Sequence, residues 1–253
     1  MPKEFKPVLR RPGPGDRLMV VGATGSGKTV AGISHLAWQD FDQKPWVLFN
    51  TKGDSNLNSI KGSIEWNVHR PPPIKPGIYQ VRPKAGIDAE AVRDFLYQIL
   101  DQENVGLYID EGYAIAHAKK INYPFQDVMT QGRSKNITCI INSQKPSWID
   151  PFVTSEAGFY QVFRLNDERD KRRLREFIPE DAPVVIKPQS MKEVDTLSLG
   201  HRLPPFHSMW YDVGQHKGAF LKPARPAEES VFMIDRRLDA IRQTDNTVRR
   251  IKV

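Results

Sequence analysis

Apolar and polar positions alternate along this chain in two rhythms. Arg17 to Val21 is a short apolar run that ends in a glycine-rich turn, and from Lys28 to Gln39 the apolar or small residues Val30, Ile33, Ala37 and Trp38 return at helical spacing. The expected order is strand, loop, helix. Pro45 to Asn50 (PWVLFN) reads as a second strand closed by Lys52-Gly53-Asp54, and Gly77 to Val81 as a third, set between Pro71-Pro72-Pro73 and Pro83. Asp88 is placed to cap a helix whose apolar stripe is Ala91, Phe95, Leu96, Ile99 and Leu100, with Glu90 suited to the helix dipole. Val105 to Ile109 is the next strand. A helix from Pro124 to Ser134, strands Ile137 to Ile141 and Phe159 to Phe163, and a charged helix Asp167 to Phe177 follow.

Strands alternating with helices predict an α/β fold, with a mostly parallel central sheet covered by helices. Beyond Pro183 the rhythm changes. Val184 to Ile186, then Met209 to Asp212 and Ala219 to Leu221 about the Gly214 to Gly218 turn, suggest a small antiparallel C-terminal appendage, and Pro226 to Ile241 an amphipathic helix. Pro2, Pro7, Pro12 and Pro14 with Gly13 and Gly15 block regular structure at the start. The expected organisation is an extended arm at 1–16, a core at 17–182, and residues 183–253 packed on the same domain.

Composition narrows the class. With 253 residues, 39% of them hydrophobic and 26% charged, the chain can close a core without disulfide or metal staples. The longest apolar runs fall far short of the ~20 residues a spanning helix needs, and Met1-Pro-Lys-Glu-Phe has no signal-peptide apolar region. Cys139, alone inside an apolar run, is expected to be a small buried side chain in a reducing compartment. The 37 Lys and Arg against 30 Asp and Glu give +7, which favours a polyanionic partner without identifying it.

The chemistry is concentrated in Gly22-Ala23-Thr24-Gly25-Ser26-Gly27-Lys28-Thr29, a match to G-x-x-x-x-G-K-[ST] with a strand before it and a helix opening at Lys28. Glycines let backbone N–H groups turn inward around phosphate oxygens at the positive end of a helix. Lys28 then reaches the β- and γ-phosphates of ATP, and Thr29 ligates Mg²⁺. A second carboxylate for Mg²⁺ belongs at the end of a neighbouring buried strand, where Asp110 stands, and Glu111 beside it can act as general base toward water. Gln144, after the strand that ends in Asn142-Ser143, is placed to sense the γ-phosphate. Arg133, ending the preceding helix, is expected on the same side of the sheet, its planar fork suited to developing phosphoryl charge.

These residues resemble the FtsK–HerA superfamily of DNA-pumping ATPases, and within it the genome-packaging ATPases of tectivirus-like, internal-membrane icosahedral viruses. The resemblance runs from Arg17 to Phe177. Gly132-Arg133-Ser134-Lys135-Asn136-Ile137 leading into Asn142-Ser143-Gln144-Lys145-Pro146-Ser147 is similar to the family's Arg-x-x-x-Ile strand followed by Thr-Gln-Arg-Pro-Ser. Asn50-Thr51-Lys52 stands where an Asp-Pro-Lys type strand end is usual, and Ser143 where Thr is usual. The resemblance implies a RecA-like P-loop fold whose Asp110 strand is not adjacent to the P-loop strand. It also implies a homo-oligomeric ring, commonly a hexamer, around DNA, with Arg133 entering the neighbouring subunit's site.

Lys119 and Lys120, in the loop after Glu111, are the candidate DNA contacts, since a pump needs phosphate contacts without base readout. The basic set Arg169, Lys171, Arg172, Arg173 and Arg175 is interleaved with acids and reads as a solvated helix face. The resulting expectation is an ATP-driven motor that packages a viral genome into a preformed capsid. It would work in the host cytoplasm and at the packaging vertex, docked on capsid or membrane-associated viral proteins. A cellular or conjugative translocase of the same superfamily, or a P-loop virion assembly or export protein that does not pump DNA, are the competing readings.

Overall fold

The apolar runs become strands of one ten-stranded sheet in the computed structural model, which describes residues 9–84, 86–117, 122–186, 198–199 and 203–251. The strands are β1 (Arg17–Val21), β2 (Pro45–Phe49), β3 (Ile64–Trp66), β4 (Gly77–Val81), β5 (Gly106–Ile109), β6 (Thr138–Ser143), β7 (Phe159–Phe163), β8 (Val184–Ile186), β9 (Ser208–Asp212) and β10 (Lys217–Leu221). Their order is β3-β4-β2-β5-β6-β1-β7-β9-β10-β8. The helices are α1 (Lys28–Leu36), α2 (Ser55–Asn58), α3 (Ala89–Gln102), α4 (Gly112–Ile115), α5 (Tyr123–Gln131), α6 (Pro151–Ser155), α7 (Glu168–Arg175) and α8 (Ala227–Ile251).

From β3 to β7 every pairing is parallel, and β6 lies between β5 and β1. All strands in that block therefore point their carboxyl ends to one edge, where ligands of open α/β sheets bind. Because side chains alternate faces along a strand, each central strand feeds two cores. Leu18, Val20 and Leu48 pack with Ile33 and Leu36 of α1 and Ile234 of α8. Met19, Val21, Val47 and Phe49 pack with Phe95 and Ile99 of α3 and Phe125 of α5.

Most predicted elements recur with shifts of a few residues, whereas the C-terminal helix, expected to end at Ile241, runs on to Ile251. β3 has no sequence signal: it is three residues at the sheet edge with Ile64 exposed, so nothing alternates. β6 continues through Asn142 and Ser143, because both are buried and paired across to β1. Asp88 occupies the position before α3 but does not cap it; its carboxylate accepts from the Lys84 N–H at 2.7 Å instead.

The described strands beyond 183 extend the central sheet, and α8 packs against it through Ile234 and Leu238. β9 pairs antiparallel with β7, β10 antiparallel with β9, and β8 parallel with β10. The arm is likewise docked where it is described: Arg10 bonds Asp212 and lies over the Phe159 ring, and the Gly15 N–H donates to Thr138 Oγ1. Its first eight residues lie outside the described set.

Cys139 is buried, and burial pushes its thiol up to about 12, which keeps it unreactive. On α7, Lys171, Arg173 and Arg175 pair with Glu168, Glu176 and Glu180, the solvated face expected of that segment. Among the described residues no helix is long and apolar enough to cross a membrane.

Candidate functional site

The turn from β1 into α1 is tied to both neighbouring strand ends. Gly22 N–H donates to Ser143 O at 3.2 Å and Ala23 N–H to Arg164 O at 3.0 Å. Gly25 (φ 72°) and Gly27 (φ 102°) are left-handed, a region that side-chain-bearing residues enter at a cost, so the loop can curl its N–H groups inward. α1 lies close on the sheet at Gly32, where a Cβ would sit 2.6 Å from Tyr108 Oη and 2.8 Å from Asn142 Nδ2. Thr24 Oγ1 donates to Gln144 Oε1 at 3.0 Å, joining the loop to the end of β6.

Lys28 is buried and folds back so that Nζ donates to Ala23 O at 2.9 Å. Burial pushes its ammonium down to about 8, against the opposing pull of Glu111, so a charge is held there with only a carbonyl to receive it. Asp110 and Glu111 follow β5 and are both buried. Burial, then the nearby charges of Asp54 and Glu111, push the Asp110 carboxyl up to about 6, while Lys52 restrains the rise.

Every oxygen of Glu111 is engaged. Lys52 Nζ meets Oε2 at 2.5 Å, and Ser143 Oγ and Gln144 N–H each donate to Oε1 at 3.2 Å. Burial opposes the charge on Lys52, but the hydrogen bond and charge of Glu111 outweigh it and raise its pKa. Lys52 and Ser143 thus belong to the site without a role readable from sequence: each becomes meaningful only when β2, β5 and β6 are brought to one edge. The signal available was the Asn50-Thr51-Lys52 segment itself, which ends a strand at that edge.

The donor set suits a triphosphate and a hard divalent cation. Ser26 Oγ in the loop, Thr51 Oγ1 and Asn142 Oδ1 are buried without a partner. The Thr29 hydroxyl and the Asp110 carboxylate are oxygen donors of the kind Mg²⁺ takes alongside phosphate oxygens and water. Among the described residues no group of three or more His, Cys, Asp or Glu could hold a metal by itself.

Arg133 is not on this side. It precedes β6, at the amino edge, where its carbonyl would lie 3.0 Å from a Cβ on Gly15 just before β1. A helix that runs antiparallel to the following strand ends at that strand's start, so the expectation of a shared edge fails on topology. At about 3.3 Å per residue the six residues of β6 put roughly 20 Å between Arg133 and its own loop. Arg164, exposed at the end of β7, is beside the loop through its carbonyl. Lys119 and Lys120 lie outside the described residues.

Over 229 residues, 90% of this chain and 95% of the relative, the sequence is 36% identical to DNA packaging ATPase P9 of Enterobacteria phage PRD1. Genome packaging NTPase B204 of Sulfolobus turreted icosahedral virus 2, in complex with ATP-gammaS, matches with TM-score 0.54 at 16% identity over 83% of this chain and 98% of that one. EssC (ATPases 2 and 3) from Geobacillus thermodenitrificans gives TM-score 0.57 at 12% identity, over 92% of this chain and 45% of that chain. At such identities the two structures show a shared fold. No family model matches the sequence.

Proposed function

This chain belongs to the family of viral DNA packaging ATPases, and from that premise we propose that the edge described above is the ATP-hydrolysing site of a motor that drives a genome into a preformed capsid. The observation that carries the reading is the meeting, at one sheet edge, of the glycine-rich loop, Asp110 and the buried, fully engaged Glu111. ATP is the substrate. Its phosphates take the loop 22–29, and Lys28 exchanges the Ala23 carbonyl for β- and γ-oxygens, an anionic partner that restores the charge which burial opposes. Thr29 and Asp110 would hold Mg²⁺, which when bound neutralises charge developing on the transferred phosphoryl group.

Glu111 accepts a proton from the water that attacks the γ-phosphorus in line. The new O–P bond forms as the bond to the β–γ bridging oxygen breaks, and ADP leaves with that electron pair. Lys52 and Ser143 orient the carboxylate, and the Lys52 side chain, 42% exposed, is free to release it. Gln144 links this carboxylate, through its N–H, to Thr24 of the loop through its side chain, and so reports the γ-phosphate to both.

Arg133, remote from its own loop and exposed, would act on a neighbouring subunit in a ring, proposed as a hexamer around DNA. Lys119 and Lys120 are the proposed pore contacts, and capsid-vertex or membrane-associated viral proteins the proposed dock. A steady-state ATPase assay with and without duplex DNA tests the reading. We expect Mg²⁺-dependent turnover, stimulated by DNA of any sequence and abolished in Lys28→Ala. Turnover in folded Lys28→Ala equal to that of the parent protein would refute the site.

A further inference from the structure

The turn before β9 places an aromatic side chain where glycine is the usual choice. His207 N–H donates to Pro204 O at 3.1 Å, closing a turn with Pro205 and Phe206 at its two central positions, and Phe206 has φ 60°. Proline then a left-handed residue is the type II pattern, whose third position favours Gly. Phe206 holds that strained conformation while the residue stays 54% exposed, so burial does not account for it.

Its location supplies a reason. A Cβ on Gly27, the loop glycine before Lys28, would lie 3.4 Å from Phe206 Cδ1 and 3.5 Å from Phe163 Cε1. The exposed ring therefore stands at the mouth of the phosphate loop, and the buried ring of Phe163, which ends β7, approaches the same glycine. The direction of the nucleotide is set by the strand order. Asp110, Glu111, Ser143 and Gln144 follow or end β5 and β6 on one side of β1, and β7 and β9 lie on the other. With the γ-phosphate toward the carboxylates, the sugar and base leave the loop toward β7 and Phe206.

We infer that Phe206 is the platform on which the nucleobase of the bound nucleotide stacks, selecting purine over pyrimidine triphosphates by ring area rather than by reading base edges. The inference rests on the nucleotide-site reading above and adds a base subsite to it. Stacking of a base on an aromatic side chain is worth about 1–3 kcal/mol, which is roughly 5- to 150-fold in affinity.

The test is equilibrium binding of Mg-ATP, Mg-CTP and inorganic tripolyphosphate to the full chain and to Phe206→Ala, Phe206→Trp and Phe206→Gly. Expected for Phe206→Ala are a roughly 5- to 150-fold loss for ATP, a smaller loss for CTP and tripolyphosphate binding within about twofold, with ATP affinity retained in Phe206→Trp. Phe206→Gly, which removes the backbone strain, should melt no lower than the parent protein yet bind ATP as weakly as Phe206→Ala. Unchanged ATP affinity in Phe206→Ala would overturn the inference. So would an equal loss for tripolyphosphate, since the ring would then be a prop for the loop. A parent protein that binds neither ATP nor tripolyphosphate would overturn the nucleotide site itself, and this inference with it.

Discussion

Replacing Arg133 by alanine separates a residue that acts on its own nucleotide from one that acts on a neighbour's. The side chain is exposed on the turn after α5, so its loss should cost the fold no more than about 0.5 kcal/mol, the usual range for surface positions. Its own loop is roughly 20 Å away along β6, farther than an extended arginine reaches. An Arg133→Ala subunit should therefore bind ATP as the parent does, while turnover falls by ~10³–10⁵, about 4–7 kcal/mol of barrier, if the guanidinium completes an adjacent site.

Mixing makes the geometry visible. In a head-to-tail ring of equal parts Arg133→Ala and Glu111→Gln, about one interface in four joins an intact Glu111 to an intact Arg133, whatever the ring size. Neither parent variant contains such an interface. Co-assembled mixtures measured by phosphate release should recover up to about a quarter of the parent rate if sites fire independently, and action within one subunit would recover none. A mixture shown to co-assemble that stays as inactive as both variants would refute action in trans. Full DNA-stimulated activity in Arg133→Ala alone would remove Arg133 from catalysis and leave Arg164, beside the loop, as the next residue to test.

Two further outcomes follow from packing and from charge. Gly32→Ala forces a methyl against Tyr108 Oη and Asn142 Nδ2, so thermal melting should show a loss of about 1–3 kcal/mol, and wild-type stability would contradict the close seating of α1. His35 stacks on Trp210 and meets Gln161 at 2.7 Å; burial pushes it down to about 4 from 6.5, against the Gln161 bond. Its folded pKa is below its unfolded one, so the proton favours unfolding. Stability is complete above pH 6.5 and falls as pH drops toward 4, by at most about 3 kcal/mol, a slope that denaturant melts of His35→Phe should lack.

How much of this was legible in sequence depended on the range of the interaction. The strands around Arg17, Gly77 and Phe159 were readable to the residue, because each is five residues rich in β-branched, aromatic and aliphatic side chains, too short for a helix and set off by glycine, proline or charged residues. The loop 22–29 was readable because its glycines and Lys28 act within eight residues of each other. The partners of Glu111 were not: Lys52 is 59 residues away and Ser143 32, and only strand order brings them together. Arg133 was misplaced for the same reason, since knowing the helix and strand in sequence does not say at which end of the sheet their junction lies. Phe206 carried no signal at all, its meaning arising from a turn next to β9 that meets a loop next to β1.

The central claim is that ATP hydrolysis at Glu111 moves DNA, and displacement of a third strand from a triplex-bearing duplex by the purified protein measures movement directly. The account predicts ATP-dependent displacement by the parent protein and none by Glu111→Gln, which should still bind ATP within about threefold while its turnover falls ~10²–10⁴. Vigorous DNA-stimulated hydrolysis by the parent protein with no displacement, or displacement undiminished in Glu111→Gln, would contradict it.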